Sequence, residues 1–346
     1  MRQSNAHSTR FRSEVNVRRP VDGTLFLHYP CFDGLASAAM AWDFLETHQG
    51  WSIDQLRFVN YDVQAQWLEK PLPDDSAIVD FLYHPDARFW ADHHGTTFAS
   101  DEARRSFEGQ AEGRILLYDR TSPSCAMLLW NAFGSVSSDP TRYGELAYWA
   151  NRIDAAVYDS VNEAIFGWEK PAAEINLSLS LGDERYGEML LRSFRDLALS
   201  EIASLPDVKV RVDEVRRRAE LGLSFLRDHI RLEAGHIAVA DIAPPSDVTV
   251  NRYSPYSVFP HARYSVTLTR TERDSRLTAM RNPWLDFESV DLGAIFHNHG
   301  GGGHQRVGSA VLREGDERDP AEVLSAIVDE IHRAERRDAA SERISA

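Results

Sequence analysis

Cysteine is scarce in this chain. The two present, Cys31 and Cys125, give a disulfide framework nothing to be built from, and the default reading is a reducing cytoplasm. Long apolar runs are missing too: none approaches the roughly 18 residues of a membrane span. The opening stretch MRQSNAHSTRFRSEVNVRRP is polar and basic without an apolar core. It is read as a flexible arm and not as a secretory signal. Basic residues are outnumbered, 38 Lys and Arg against 53 Asp and Glu, for a net charge of −15. That deficit argues against capture of long duplex DNA, which favours basic patches. Small phosphorylated substrates stay open, because bound divalent cations make a site locally positive. Repeats and low-complexity tracts are also absent.

What remains is ordinary for a soluble protein, 43% apolar and 26% charged residues over a length of 346, enough for two domains with cores of their own. Strands are predicted at Thr24–His28, Arg57–Tyr61, Ser76–Phe81, Arg88–Ala91 and Arg114–Tyr118. The first leads through Gly34 into a helix over Leu35–His48. Ser122-Pro123 predicts a helix start running into Ser124–Phe133. Strands alternating with helices predict an α/β domain built on a doubly wound, mostly parallel sheet. Helices fill Pro140 to about Ser200. Asp207–Glu233 is predicted as one long connector helix, its stripe carried by Val208, Val212, Val215, Ala219, Leu223, Leu226 and Ile230. Strands at His236–Ile242, Ala262–Arg270, Arg276–Arg281 and Val307–Leu312, with helices at Asp291–His297 and Pro320–Glu335, predict a smaller C-terminal α+β domain. The expected division is an arm at 1–22, a first domain at 23–205, the connector at 206–234, a second domain at 235–338 and a frayed tail at 339–346.

Doubly wound sheets bind ligands outside the carboxyl ends of their strands. His28, Asp80 and Asp92-His93-His94 all fall at such ends. Imidazole mixed with carboxylate suits Mn²⁺, Fe²⁺, Co²⁺ or Zn²⁺ better than Ca²⁺. His28, Asp33, Asp80, Asp92, His93 and Asp154 together exceed what one tetrahedral ion needs. Two ions sharing a carboxylate would use them, an arrangement suited to phosphoester hydrolysis. Asp80 is the natural bridge. Toward the C-terminus, Gly301, Gly302 and Gly303 before His304 offer backbone N–H groups to an anion. Arg281 suits a terminal phosphate or carboxylate, with Arg306 a weaker candidate. Phe296, His297 and Trp284 offer a platform for a base, although core packing is the commoner fate of such a Trp.

The motifs HYPCFDG (His28 to Gly34), VDF around Asp80, ADHHG around Asp92 and NRID ending at Asp154 occur in the order of the DHH phosphoesterase superfamily. With GGGH at Gly301–His304, the chain resembles that family from about residue 24 to 315. The resemblance implies Mn²⁺-dependent hydrolysis of phosphodiester or phosphoanhydride bonds, with two ions and a site in a cleft between two domains. It implies His28, Asp33, Asp80, His93 and Asp154 as metal ligands. His94 would face the substrate phosphate, Asp92 would orient the histidines, and Arg152 would help stabilise developing charge. Arg281, Gly301–Gly303 and His304 would hold the substrate. One position departs: the family's first motif has two aspartates after its His, whereas here only Asp33 is present and Pro30-Cys31-Phe32 fills the region. Cys31 as a thiolate ligand would favour a softer ion such as Zn²⁺ or Fe²⁺. The implied substrate is a short oligonucleotide, a dinucleotide or a nucleoside bisphosphate. The alternatives are a single-strand exonuclease of the RecJ type and a degenerate nucleotide-binding protein without catalysis. No membrane partner is implied, and a homodimer is left open.

Overall fold

The computed structural model describes residues 21–109 and 113–345, with side chains described to residue 336. The predicted N-terminal arm lies outside the described residues up to residue 20. Contacts sort the chain into two compact units. The first ends at Tyr29 and resumes from Gly34 to Ala147; the second holds Pro30–Asp33 and the chain from Tyr148 on.

Through the first unit run β1 (Val21–His28), α1 (Phe32–Gln49), β2 (Trp51–Val59), a 3-10 turn (Tyr61–Gln66), β3 (Ser76–Val79), β4 (Phe89–Asp92), α2 (Asp101–Glu108), β5 (Ile115–Tyr118), α3 (Cys125–Phe133) and the start of α4 (Pro140–Asp154). The sheet order is β2-β1-β3-β4-β5 with every pair parallel. The α/β, doubly wound expectation holds. β3 and β4 are buried at every position, as strands covered on both faces must be. Phe26, Ile78, Phe81, Tyr83 and Trp90 share one buried cluster, each contributing about 1.5–3 kcal/mol by leaving water. Because β2 and β3 lie on opposite sides of β1, the strand order reverses there, and a crevice opens at the carboxyl ends of β1 and β3.

Two local expectations shift. β2 begins at Trp51, not Arg57, and ends before Asn60. The cap of α3 is Ser124, whose hydroxyl accepts from the Met127 amide at 3.1 Å. Ser122, expected to be the cap, sits in the preceding turn and donates to the Ser124 carbonyl at 2.9 Å.

The second unit continues with α5 (Val161–Phe166), α6 (Pro171–Ser178), α7 (Glu184–Asp196), α8 (Leu199–Ala203), α9 (Pro206–Arg227), β6 (Ile230–Glu233), β7 (Ile237–Ile242), α10 (Ser254–Val258), β8 (Tyr264–Arg270), β9 (Asp274–Arg281), α11 (Leu292–Asn298), β10 (Gly302–His304), β11 (Val307–Arg313) and α12 (Pro320–Ser345). Its sheet order is β10-β11-β9-β8-β7-β6, antiparallel except for β7 with β8. Val239, Leu277, Phe296, Leu312 and Ile327 pack in its core. The helix predicted to reach Glu233 stops at Arg227. The next residues turn back through Ala234 and Gly235, both at positive φ (46° and 77°), so that β6 pairs antiparallel with β7. The backbone of α12 continues to Ser345, through the stretch expected to fray.

Candidate metal centre

The segment after β3 is held from several sides. The Asp80 amide donates to the Ala91 carbonyl at 2.9 Å, and the Tyr83 amide to that of Thr97 at 3.0 Å. Two buried indoles grip the same turn: Trp90 Nε1 donates to the Phe81 carbonyl at 2.9 Å and Trp67 Nε1 to the Leu82 carbonyl at 3.1 Å. These bonds keep Asp80 in the left-handed region at φ 56°. For a residue other than glycine such a conformation costs about 1–3 kcal/mol, and it persists only where its surroundings enforce it. The result is a carboxylate, 1% exposed, aimed along the crevice between β1 and β3.

Three histidines converge on it. His28, the last residue of β1, brings Nδ1 to 3.3 Å from Asp80 Oδ2. Nε2 of His93 lies 3.7 Å from Oδ1, and Nδ1 of His94 lies 3.8 Å from the same oxygen. His93 Nδ1 donates to the Ser122 carbonyl at 3.1 Å. That bond fixes the tautomer and turns the Nε2 lone pair toward Asp80, the way a metal-binding imidazole is usually prepared. Donor atoms of Asp80, Asp92, His93 and His94 all lie within 4.8 Å of one another. This mixture of imidazole and carboxylate fits a divalent ion of the Mn²⁺, Fe²⁺, Co²⁺ or Zn²⁺ kind.

Asp92 has a different occupation. One of its oxygens accepts from the His93 amide at 2.8 Å, the His94 amide at 3.4 Å and His94 Nδ1 at 2.8 Å; the other accepts from the Thr97 hydroxyl. A buried carboxylate bonded in this way sets the positions of both histidines. His94 keeps Nδ1 on Asp92, so its opposite ring edge points away from that carboxylate, and the side chain is 30% exposed. Thr97 was not picked out from sequence, although a hydroxyl shortly after a buried Asp is a common partner.

Burial and the neighbouring His94 lower the His28 pKa from 6.5 to about 4, against smaller opposing effects of Asp92 and the Asn60 side chain. An unfolded chain therefore takes up a proton below about pH 6.5, whereas the folded, metal-free protein does not until about pH 4. Stability is lost as pH falls through that window, by up to about 3 kcal/mol from this one group. Urea unfolding of the metal-free protein between those limits should show the decline, and His28→Asn should flatten it. An equally steep slope in the variant would assign the effect elsewhere.

Tyr61, read from sequence as the end of a strand, opens the 3-10 turn instead. Asn60 caps that turn, accepting from the Tyr61 amide at 2.7 Å. The Tyr61 ring meets His28 edge-on at 5.2 Å and His94 at 6.4 Å between centroids. Together with Asp62, Gln64, Ala65, Leu68 and Ala99 it lines a groove of about 480 Å³. Sequence reading passed over this groove because no motif marks it.

The remaining expected residues belong to the second unit. Cys31 follows β1 in a turn, half-buried and outside any disulfide. Asp33 is buried in the first turn of α1, and Asp154 is the exposed last residue of α4. Arg152 is engaged by carboxylates of its own unit, 2.8 Å from Asp159 and 3.8 Å from Glu163, and the bond to Asp159 raises its pKa further. Arg281 donates to the carbonyls of Asn282, Leu285 and Phe287 and lies over the Phe287 ring. The glycine run is not a loose loop. Gly302–His304 forms the edge strand β10, and a Cβ on Gly303, whose φ is 150°, would meet the Val307 carbonyl oxygen at 2.1 Å. His304 is exposed at the strand's end. Phe296 is wholly buried, which removes it from the base platform. Trp284 packs against Tyr253 and Tyr256 and donates to the Tyr158 carbonyl at 3.0 Å, the expected core role.

No family profile and no curated protein sequence matches the chain. Solved structures do. A pGpG-specific phosphodiesterase, PggH of Vibrio cholerae, superimposes with a TM-score of 0.69 at 19% identity, over 90% of this chain and all of that one. An exopolyphosphatase-related protein of Bacteroides fragilis gives 0.51 at 15% identity, over 90% and 93%. RecJ of Thermus thermophilus, in complex with Mn²⁺, gives 0.52 at 14% identity, and the match spans 90% of this chain but only 52% of RecJ. Among the described residues no helix is long and apolar enough to cross a membrane.

Proposed function

We propose that this chain, which has the fold of the DHH superfamily, is a metal-dependent phosphohydrolase. Its substrates are short oligonucleotides, dinucleotides or nucleoside bisphosphates. The observation that carries the reading is Asp80: a buried carboxylate in an enforced left-handed conformation, met by His28 and His93 where the strand order reverses. On motif order, Asp33, Asp154 and Cys31 join these as further ligands, and Arg281, Gly301–Gly303 and His304 bind substrate. Bound divalent ions, Mn²⁺ foremost, supply an activated water and neutralise charge on the phosphoryl oxygens. The chain's own groups do the rest. Asp92 holds His94 on Nδ1 and leaves its far edge to contact the phosphate. Arg152, balanced by Asp159 and Glu163, has the weaker claim on that charge. A nucleoside lying in the Tyr61 groove would sit beside both histidines.

The net charge of −15 and the likeness to a dinucleotide phosphodiesterase both favour small substrates. Cleavage of longer single strands is the second reading, and the RecJ fold favours it. The test is incubation with Mn²⁺ and a panel of a short RNA ladder, linear and cyclic dinucleotides, phosphoadenosine phosphate, polyphosphate and pyrophosphate. If none is cut, or if His93→Ala cuts as fast as wild type, the proposal fails. Tyr61→Ala should raise KM for a dinucleotide about tenfold, since one stacked base contributes about 1–3 kcal/mol. KM for any base-free substrate cut should stay unchanged. Equal effects on both would separate the groove from nucleoside binding.

A further inference from the structure

The second unit holds a set of donors that the hydrolytic site does not use. His236 follows the Ala234-Gly235 turn between β6 and β7, and its backbone is pinned: its carbonyl accepts from the Arg263 amide at 2.8 Å and the Tyr264 amide at 3.3 Å. Its Nδ1 donates to the Ala234 carbonyl at 2.8 Å. In the neutral ring, Nε2 is then a bare lone pair, and it faces Oε2 of Glu335 at 2.5 Å. At that distance a proton bridges the two atoms, and an ion bound to both at about 2 Å would displace it and part them to about 3.3 Å. Glu335 is a prepared partner. Its other oxygen is held by Arg263 at 2.7 Å, and its side chain is only 12% exposed. One turn earlier on α12, His332 presents its ring edge-on to that of His236 at 5.2 Å. Residues three apart share a helix face, so His332 and Glu335 point the same way. Donor atoms of His236, His332 and Glu335 lie within 4.8 Å of one another.

We infer that His236, His332 and Glu335 form a separate divalent-metal site that ties the β6–β7 turn to α12. Two imidazoles and one carboxylate, with a position left for water, suit a borderline transition ion, Zn²⁺ above all. The Nδ1 bond to Ala234 is the support a ligating imidazole needs, and Arg263 forms an ion pair with Glu335. No hydrolytic role is assigned to the ion, which acts as a clasp.

The test is a Zn²⁺ titration of the full chain by calorimetry, with Co²⁺ substitution read by visible absorption. Wild type should take up one more equivalent of Zn²⁺ than either His332→Ala or His236→Gln, and both variants should lose one component of the Co²⁺ spectrum. Zn²⁺ should raise the urea midpoint of wild type more than that of His332→Ala, and Mn²⁺-supported hydrolysis should be the same in both. Wild type alone gives a further readout: stoichiometric Zn²⁺ should slow amide exchange across residues 233–236. Equal Zn²⁺ uptake by wild type and both variants, or unchanged exchange at that turn, would overturn the inference.

Discussion

Asp80→Asn should reduce metal-dependent hydrolysis by about a hundredfold to a thousandfold, the size of effect seen when a preorganised group at a reacting centre is removed. The metal-free fold should survive intact. Both outcomes follow from the same geometry. The side chain is 1% exposed and its φ is 56°. Asn is among the few residues that tolerate the left-handed region, so the turn gripped by Trp67 and Trp90 has no reason to move. What changes is charge. The amide cannot bind a cation through two anionic oxygens, and a buried ionised group has been exchanged for a neutral one. Metal-free stability should change little, because the amide keeps the left-handed turn and its oxygen can still pair with His28. Asp80→Ala should show the other side of the argument, losing about 1–2 kcal/mol from placing a Cβ residue without a local hydrogen bond in that conformation. Turnover, bound Mn²⁺ per chain and urea midpoints decide the matter. An Asp80→Asn protein that keeps even a tenth of wild-type turnover would take Asp80 out of the centre.

Gly34→Ala is expected to damage stability and turnover together. A Cβ built on Gly34 would lie 2.1 Å from the His28 carbonyl oxygen and 3.0 Å from the carbonyl carbon. The obstacle is backbone, not the tip of a flexible side chain, so relief means moving either the start of α1 or the end of β1. Overpacking of this kind costs about 3 kcal/mol, and any relaxation displaces His28 from its 3.3 Å approach to Asp80. Stability and turnover should fall together, with kcat down by about a hundredfold, since a misplacement of about 1 Å at a reacting centre has that effect. Wild-type stability in the variant would mean that the β1–α1 turn is looser than its packing indicates. The motif glycine is thus explained by the closeness of a helix to a strand end, without appeal to a ligand.

The first unit was largely readable because its signals are local. Short apolar runs ending in Asp or His mark both the strands and the residues set at their ends, and VDF and ADHHG fall where β3 and β4 finish. The errors share a cause: periodicity reports one chain segment at a time. The alternation that starts at Trp51 breaks at Asp54-Gln55, where the register of β2 on β1 slips by one residue, so the front half of β2 does not read as one strand. The charge pattern of α9 runs on into β6, and only the Ala234-Gly235 turn shows that the chain reverses. A run of glycines reads as a loop until β11 is seen beside it. The ring of Tyr61 next to His28 and His94 depends on a capped 3-10 turn that no sequence pattern announced. The commitments of Arg281 to three carbonyls, and of Arg152 to Asp159 and Glu163, are likewise invisible before the partners are placed.

The strand order also sets a schedule for synthesis. β1 leaves the ribosome first and waits, because its two neighbours are encoded later, at Trp51–Val59 and Ser76–Val79. Once Val79 has emerged, β2, β1 and β3 can close with both sides of β1 satisfied, while the bonds that set Asp80 wait for Trp90, Ala91 and Thr97. From there the sheet has one direction left to grow, along β3. That edge is fully buried in the finished protein, so a chain stalled before Phe89 presents an unpaired strand guarded only by Asp74, Asp75 and Asp80 at its ends, the kind of edge that joins other chains. The hazard lasts only until β4 is made, which gives the short stretch between β3 and β4 a role in the timing of synthesis as well as in the fold.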